Sequence, residues 1–473
     1  SLRRRKSRGA IDSIAVLPFD NASKDPQTEY LSDGITESII NSLSQLPKLR
    51  VLARSTVFRH KGSPQDPLEV GRQLQVRSIL SGRVLQLGET IVIKAELVDT
   101  TDGSHIWGGQ YKRQFEDVLS IEEEISAEIS GQLRPKLTGE KKKRASKRFT
   151  HHPEAYQCYL RGRFHWNKRT AEDLKKGIEC FQQAIAADPT YALAYSGLAD
   201  AYALLAWFTT MACPPNDVMP KARAAATRAL ELDATLAEAH ASLAMVKTLY
   251  EWDWAGAESE FRRAIELNPK YATGRQWHAI LLIGSDRFPE AIEEISRALE
   301  LDPLSLMINA SLGWALYFAR RFDEAVRQLQ RTLDVEPLFY PAHLFLGYAY
   351  EARGEYDKAV ASFAQAEKLN DTPAIRSALG HCHAVAGETE PALRALDRLN
   401  ELSLQRYVSP ESQGIISVGL GDLDRAFHYL GKAVEERSTY IPFLNADARL
   451  DPARLDPRFS GLLRRTRFRG QAP

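Results

Sequence analysis

The sequence has little of what usually betrays a function. There are four cysteines in 473 residues, Cys158, Cys180, Cys213 and Cys382, with no Cys-x-x-Cys pair. That spacing argues against a disulfide framework and leaves structural, partly buried thiols. No run approaches the ~18 apolar residues a membrane-spanning helix needs, and no apolar stretch with a cleavage site makes a signal peptide. Charge of one sign is also missing. With 62 Lys and Arg against 61 Asp and Glu, the net charge is +1, so nothing global steers the chain toward nucleic acid or acidic substrates. Catalytic signatures are absent too. There is no glycine-rich loop followed by a strand lysine, no HRD and no DFG, and no Walker A, GxSxG or HExxH. No catalytic residue, cofactor, metal site or small-molecule substrate is therefore expected in this segment.

The small clusters that remain read as structure. His381, Cys382 and His383 are adjacent on a helix, where neighbours diverge by about 100°, so the three do not share one metal. His151 and His152 lie in a linker. "DTTDG" at 99–103 starts like a calcium loop but lacks the remaining ligands, and reads as a hairpin turn. Glu122, Glu123 and Glu124 read as a solvated helix face. The basic clusters Arg3–Arg8, Lys141–Arg148 and Arg464–Arg469 read as solvated termini and linker, with no nucleic-acid role for the segment.

What is present is an ordinary globular composition, 44% hydrophobic and 26% charged, long enough for two to four domains. Residues 11–138 alternate strand and helix patterns. "SIAVLPF" is a nearly continuous apolar strand, and "SDGITESIINSLSQL" a helix capped by Ser32 or Asp33. "LRVLAR" is a second strand. "DPLEVGRQL" opens a helix with Asp66 as N-cap, Pro67 at N1 and Glu69 at N3. "RSILSGRVLQL" and "TIVIKAELVD" form a hairpin about Gly88-Glu89, with Lys94 and Glu96 on a wet face. "SHIWGGQY" is a further strand. A helix from about Phe115 to Leu133 ends at Pro135. The sum is an α+β domain, a mixed sheet with helices, preceded by a linker at 1–10 and followed by a basic linker at 139–152.

From 153 to about 438 strand signals vanish and a repeat takes over. "AESEFRRAIELNP", "AIEEISRALELDP" and "AVRQLQRTLDVEP" place small, bulky and small residues at i, i+4 and i+7, one face of a helix. Pro269, Pro303 and Pro337 close successive units 34 residues apart. The repeat resembles the tetratricopeptide (TPR) repeat, with Ala257/Ala264, Ala291/Ala298 and Ala359/Ala366 as its small positions. "SLGWALY" (311–317) and "FLGYAYE" (345–351) match its first-helix theme. About eight units are expected, an all-α TPR solenoid closed by a capping segment at 439–473. Thr332 and Leu399 depart from the small-residue rule, "HWNKRTAEDLKK" reads as a long turn, and an insertion occupies 206–218.

The first half is similar, less sharply, to the TolB N-terminal/FlgO-like domain, on "SIAVLPFDN", "EYLSDGITESIINSLSQLPKLRVLARSTVFRHKG" and "IKAELVDTTDGSHIWGGQY". The combined resemblance implies a bacterial signalling protein in which this segment follows a Ser/Thr kinase, a nucleotide cyclase or a winged-helix DNA-binding module. Kinase is the effector expected first, and a self-contained envelope scaffold is a further alternative. The basic octet at the start is read as juxtamembrane. The segment is then anchored through a span upstream of Ser1, on either the cytoplasmic or the periplasmic side.

First helices of TPR units line a concave groove. Counting back from the small positions, that groove should show Asp200, Glu238, Met245, Gln276, Ile280, Trp314, Tyr317, Tyr348, Glu351 and His381. Lys and Arg are missing from this set, so a carboxylate clamp is not expected. Aromatics ringed by carboxylates suit a protein or peptide partner with apolar anchors and some basic residues. Trp207, Phe208 and Met211 in the insertion either plug the groove, cap a neighbour or dock a partner. The alternative reading of Trp314 and Tyr317 is ordinary packing between repeats.

Overall fold

The computed structural model describes residues 11–44, 46, 48–63, 66–133, 150–207 and 213–466. Two compact units emerge, residues 1–167 with 179–191, and residues 168–178 with 192–473.

In the first unit, β1 (Ser13–Val16) is buried at every position, which a strand with apolar neighbours on both faces requires. It lies between β3 (Arg50–Val51) and β4 (Ser78–Leu87), parallel to both. The short β2 (Asp20–Asn21) runs parallel to the far end of β4. Antiparallel β5 (Thr90–Asp99) and β6 (His105–Gln114) complete the order β3-β1-β4-β5-β6. The sheet is thus mixed. In β5, Ile91, Ile93, Ala95 and Leu97 are buried while Lys94 and Glu96 face water.

The helices of this unit are α1 (Glu29–Ser44), α2 (Arg54–Phe58), α3 (Pro67–Gln73), α4 (Val118–Leu133) and α5 (Pro153–Lys168). α1 starts a turn earlier than expected. Asp25 accepts from the Gln27 N–H, and Pro26 opens a 3-10 turn that runs into the helix. Ser32 and Asp33 therefore lie inside α1, buried, and are not its caps. "LRVLAR" gives only two strand residues before α2 begins. Asp66 caps α3 by accepting from the Leu68 N–H, as the sequence foretold. The α4 stripe Val118, Ile121, Ile125 and Ile129 is fully buried, and α4 packs on α1 and β6. α5 crosses α1 closely at Gly34, where an added Cβ would sit 2.8 Å from Leu160. Their second tie is Glu37, which accepts from Arg163 at 2.8 Å and from Asn167 at 3.1 Å and pairs with Arg54 at 2.9 Å.

Helix hairpins fill the rest. α6 (Ala171–Ala187) follows α5. The second unit then stacks α7 and α8 (Ala192–Leu205, Pro215–Leu232), α9 and α10 (Ala237–Val246, Trp254–Leu267), and α11 and α12 (Ala272–Gly284, Phe288–Leu301). After these come α13 and α14 (Leu306–Phe318, Phe322–Val335), α15 and α16 (Tyr340–Ala352, Tyr356–Leu369), α17 and α18 (Pro373–Val385, Thr389–Ser403), and α19 and α20 (Glu411–Gly419, Leu423–Glu435). The stretch "HWNKRTAEDLKK" is not a long turn. α5 runs to Lys168 and α6 starts at Ala171, with Arg169 in the left-handed region at φ +59°.

The repeat logic holds in the packing. Ala222, Ala229, Ala257, Ala264, Ala291, Ala298, Ala359 and Ala366 are all fully buried. Small side chains there let helix axes approach, and bulky ones fill the seam. Gly313 and Gly347 work the same way, since an added Cβ would sit 2.4 Å from Leu329 and from Phe363 respectively. The turn inside each of the last six hairpins is made by a residue with positive φ: Trp252, Asp286, Arg320, Gly354, Gly387 and Gly421.

After α20 the chain does not simply end. Residues 437–456 turn back as a strap of short 3-10 turns (Ile441–Phe443, Ala448–Leu450) and α21 (Asp451–Arg454), before α22 (Pro457–Arg465) packs on α20. Only two residues beyond α20, Arg437 donates to the Tyr250 carbonyl at 2.7 Å. Within this unit, then, the row of hairpins curves enough to bring its end back to its beginning.

Candidate functional site

The inner face is built by the first helices of the hairpins, and most of it is used internally. Two groove residues tie one first helix to the next. Asp200 on α7 accepts from Ser242 on α9, and Gln276 on α11 donates to Ser311 on α13 at 2.9 Å. Glu351 on α15 faces His381 on α17, with His381 Nδ1 2.8 Å from Glu351 Oε1. Ser377 on α17 continues the series by donating to the Ser412 carbonyl of α19 at 2.7 Å. All these side chains are buried, where an unmet polar group is costly. They act as a ladder that fixes the stack. Met245 and Ile280 are buried in it, and Glu238 is half-buried, its carbonyl accepting from Ser242 at 2.8 Å.

The residues of "HCH" point to separate partners. His381 meets Glu351, Cys382 is buried with its thiol pushed up by burial, and His383 meets Glu388.

The aromatic residues expected in the groove come together, and the strap lies on them. Trp314, Tyr317 and Tyr348 are each less than 4% exposed. Trp314 stacks on Phe345 at 5.6 Å, and Tyr317 lies 5.7 Å from Tyr348. Phe443 of the strap inserts among them, edge-on to Trp314 at 4.9 Å and stacked on Phe318 at 5.8 Å. Of the insertion residues, Trp207 packs edge-on against both Trp314, at 6.2 Å, and Phe443 of the strap, at 6.3 Å. Phe208 and Met211 lie outside the described residues, as do Arg3–Arg8, Lys141–Arg148 and Pro135.

A charged knot sits next to this aromatic cluster. Asp447 accepts from the Tyr317 hydroxyl at 2.6 Å, from the Tyr440 hydroxyl at 2.5 Å and from Arg449 at 2.7 Å. The Arg449 guanidinium lies 4.2 Å over the Tyr348 ring, a cation–π contact. Burial alone would push the Asp447 carboxyl up, yet Arg449 and the hydrogen bonds overcome it and hold the group well below the usual range. Arg449 is likewise held charged, its burial outweighed first by Asp447.

The edges of the strap meet the hairpin turns. Arg437 lies 4.6 Å over Trp252, Asn445 donates to Asp286, and Arg320 forms a two-pronged pair with Asp451 at 2.8 and 2.9 Å. Thr439 donates to the Ala206 carbonyl at 2.8 Å. The sequence reading missed the strap's place. Its signal was "TYIPFLNADARL", rich in apolar residues without helical period.

Fold and inner face together define a protein that carries TPR repeats behind an α+β domain, a class built for protein contacts. Residues 311–374 match the tetratricopeptide repeat family, and residues 10–127 match the family described as HilA/YgeH-like transcriptional regulator, second domain. That description differs from the TolB N-terminal/FlgO-like one expected for the same stretch. The chain is 35% identical over 236 residues to "Putative adenylate cyclase 3" of Rhizobium meliloti (strain 1021), covering 50% of this chain and 40% of that protein. It is 24% identical over 287 residues to the transcriptional regulator HilA of Salmonella typhimurium, covering 60% of this chain and 50% of that protein. The chain thus spans half or less of the length of these relatives, and neither is named as a kinase. Among solved structures it is similar to YrrB, a TPR protein described with an unusual peptide-binding site. The TM-score there is 0.28 at 20% identity, over 46% of this chain and 98% of that one. Among the described residues, no helix is long and apolar enough to cross a membrane.

Proposed function

We propose that this chain is the interaction and regulatory region of a bacterial signalling protein, whose output comes from an effector such as a nucleotide cyclase or a DNA-binding module. One observation carries the reading. Matches of 236 and 287 residues cannot both fit into 473 residues without overlapping. The shared stretch therefore accompanies two different named activities and is specific to neither. The TPR stack supplies the protein-contact surface. The α+β domain, likened by sequence to the TolB N-terminal/FlgO-like domain and matched to a regulator's second domain, is accessory on this reading.

The test uses the purified 473-residue chain. It is expected neither to convert ATP to cyclic AMP nor to shift duplex DNA, and to retain a protein partner that rebinds directly once both are purified. Cyclase activity in the isolated chain, or failure of every captured protein to rebind, overturns the reading.

A further inference from the structure

We infer that the aromatic inner face is a peptide-recognition groove whose resident ligand is the chain's own strap. The partner it fits carries the same chemistry: an aromatic ring, a carboxylate four residues on, and an arginine two beyond that. The spacing is that of Phe443, Asp447 and Arg449. The inference rests on the interaction reading above and specifies its site.

Three observations point beyond mere packing. First, the strap approaches as a ligand does. A run of short turns, it crosses successive hairpins and presents one anchor per subsite: a ring against Trp314, a carboxylate to the Tyr317 hydroxyl, and a cation over the Tyr348 ring. Second, Trp314, Tyr317, Phe345 and Tyr348 at the aromatic centre carry no cation, and the strap brings one there. Arg449 travels with Asp447 as a neutral pair, which suits burial of both charges.

Third, the hairpin turns are divided by use. Where the strap passes, the left-handed turn residue carries a side chain that touches it: Trp252, Asp286 and Arg320. In the next three hairpins the same position is Gly354, Gly387 and Gly421. A side chain in that conformation is strained, and such strain collects where a ligand is held. Arg169 in the earlier α5–α6 turn also has positive φ, so it is the contact with the strap, in three of these six turns, that marks them as ligand-reading.

A partner segment reaches this groove only in competition with the strap, so its apparent affinity is lowered by the fraction of molecules with the strap released. The test compares the full chain with its Asp447→Ala, Arg449→Ala double variant, checked for native helicity by circular dichroism. The probe is a fluorescent synthetic peptide of residues 436–456. The variant is expected to bind it at least tenfold more tightly than the unaltered chain does. It is also expected to prefer it at least tenfold over a peptide with the same two alanines. A folded variant that shows neither preference overturns the inference, yet leaves partner binding elsewhere on the chain standing. If the variant does not fold, hydrogen exchange in the unaltered chain decides. Amides of 438–450 exchanging at least tenfold faster than those of Leu306–Phe318 support a releasable ligand. Exchange of both together shows a fixed core segment and overturns it.

Discussion

Glu122 shows what a single residue hides from a sequence reader. In "EEE" it looks like the first of three solvated carboxylates, but it is buried, and the Tyr156 hydroxyl donates to it at 2.5 Å. The partner lies 34 residues away on α5, and no local pattern signals it. Burial pushes the Glu122 carboxyl up to about 8, only partly opposed by hydrogen bonds from Ser38 and Tyr156. The folded value thus exceeds the unfolded one. The contribution to stability is complete at pH below about 4.5 and is lost as pH rises toward 8. The first unit should therefore weaken from pH 5.5 to 8.5. Glu122→Gln, which keeps an acceptor for Tyr156 and cannot ionise, should remove roughly 1 to 3 kcal/mol of that dependence. Urea midpoints at the two pH values check this. Equal slopes for both proteins would mean that Glu122 stays ionised in the fold. Cores were more legible than such pairs, because Val118, Ile121, Ile125 and Ile129 announce their face by spacing alone.

At the scale of elements, strands and helices with a strong period were readable, and their ends were not. α1 began at Glu29 because Asp25 and Pro26 make an earlier cap than Ser32 or Asp33, and both pairs carry the same kind of signal. α5 and α6 were masked by Asn167 to Thr170, polar residues that look like a loop and yet hold only a two-residue turn. The turn ladder separates backbone from side-chain effects. Gly354 has φ +74° with nothing within 4 Å of an added Cβ, so Gly354→Asp should cost only the left-handed penalty, about 1 kcal/mol. Asp286→Gly relieves the same penalty but removes the acceptor for Asn445. Its net effect on thermal unfolding should be smaller than about 1 kcal/mol, while amides around 445 exchange faster. Thermal melts and exchange on the two variants check the pair. A destabilising Asp286→Gly with unchanged exchange would remove the turn from strap binding.

At the scale of the molecule, an α+β domain and a TPR array were legible because each has its own period. The fate of the groove was not. Aromatic and carboxylate residues at groove positions look the same whether they await a partner or are already engaged. Only the fold shows that Asp200 and Gln276 bind neighbouring helices and that Tyr317 binds Asp447. The strap also changes how the array should unfold. A repeat stack held by nearest neighbours alone can lose its ends progressively. Here Thr439 reaches Ala206 across 233 residues and Tyr317 reaches Asp447 across 130, so distant hairpins are fastened to each other. The second unit is therefore expected to unfold in one transition followed alike by circular dichroism and tryptophan fluorescence. Asp447→Ala leaves Arg449 buried without its partner and should cost about 3 to 5 kcal/mol. Adding Arg449→Ala removes the stranded charge, so the double variant should lose less than the two single losses combined. With the tie weakened, its transition should broaden and its denaturant slope fall as hairpins melt separately. Strict additivity with an unchanged slope would show that the strap is only a passenger on a stack that coheres without it.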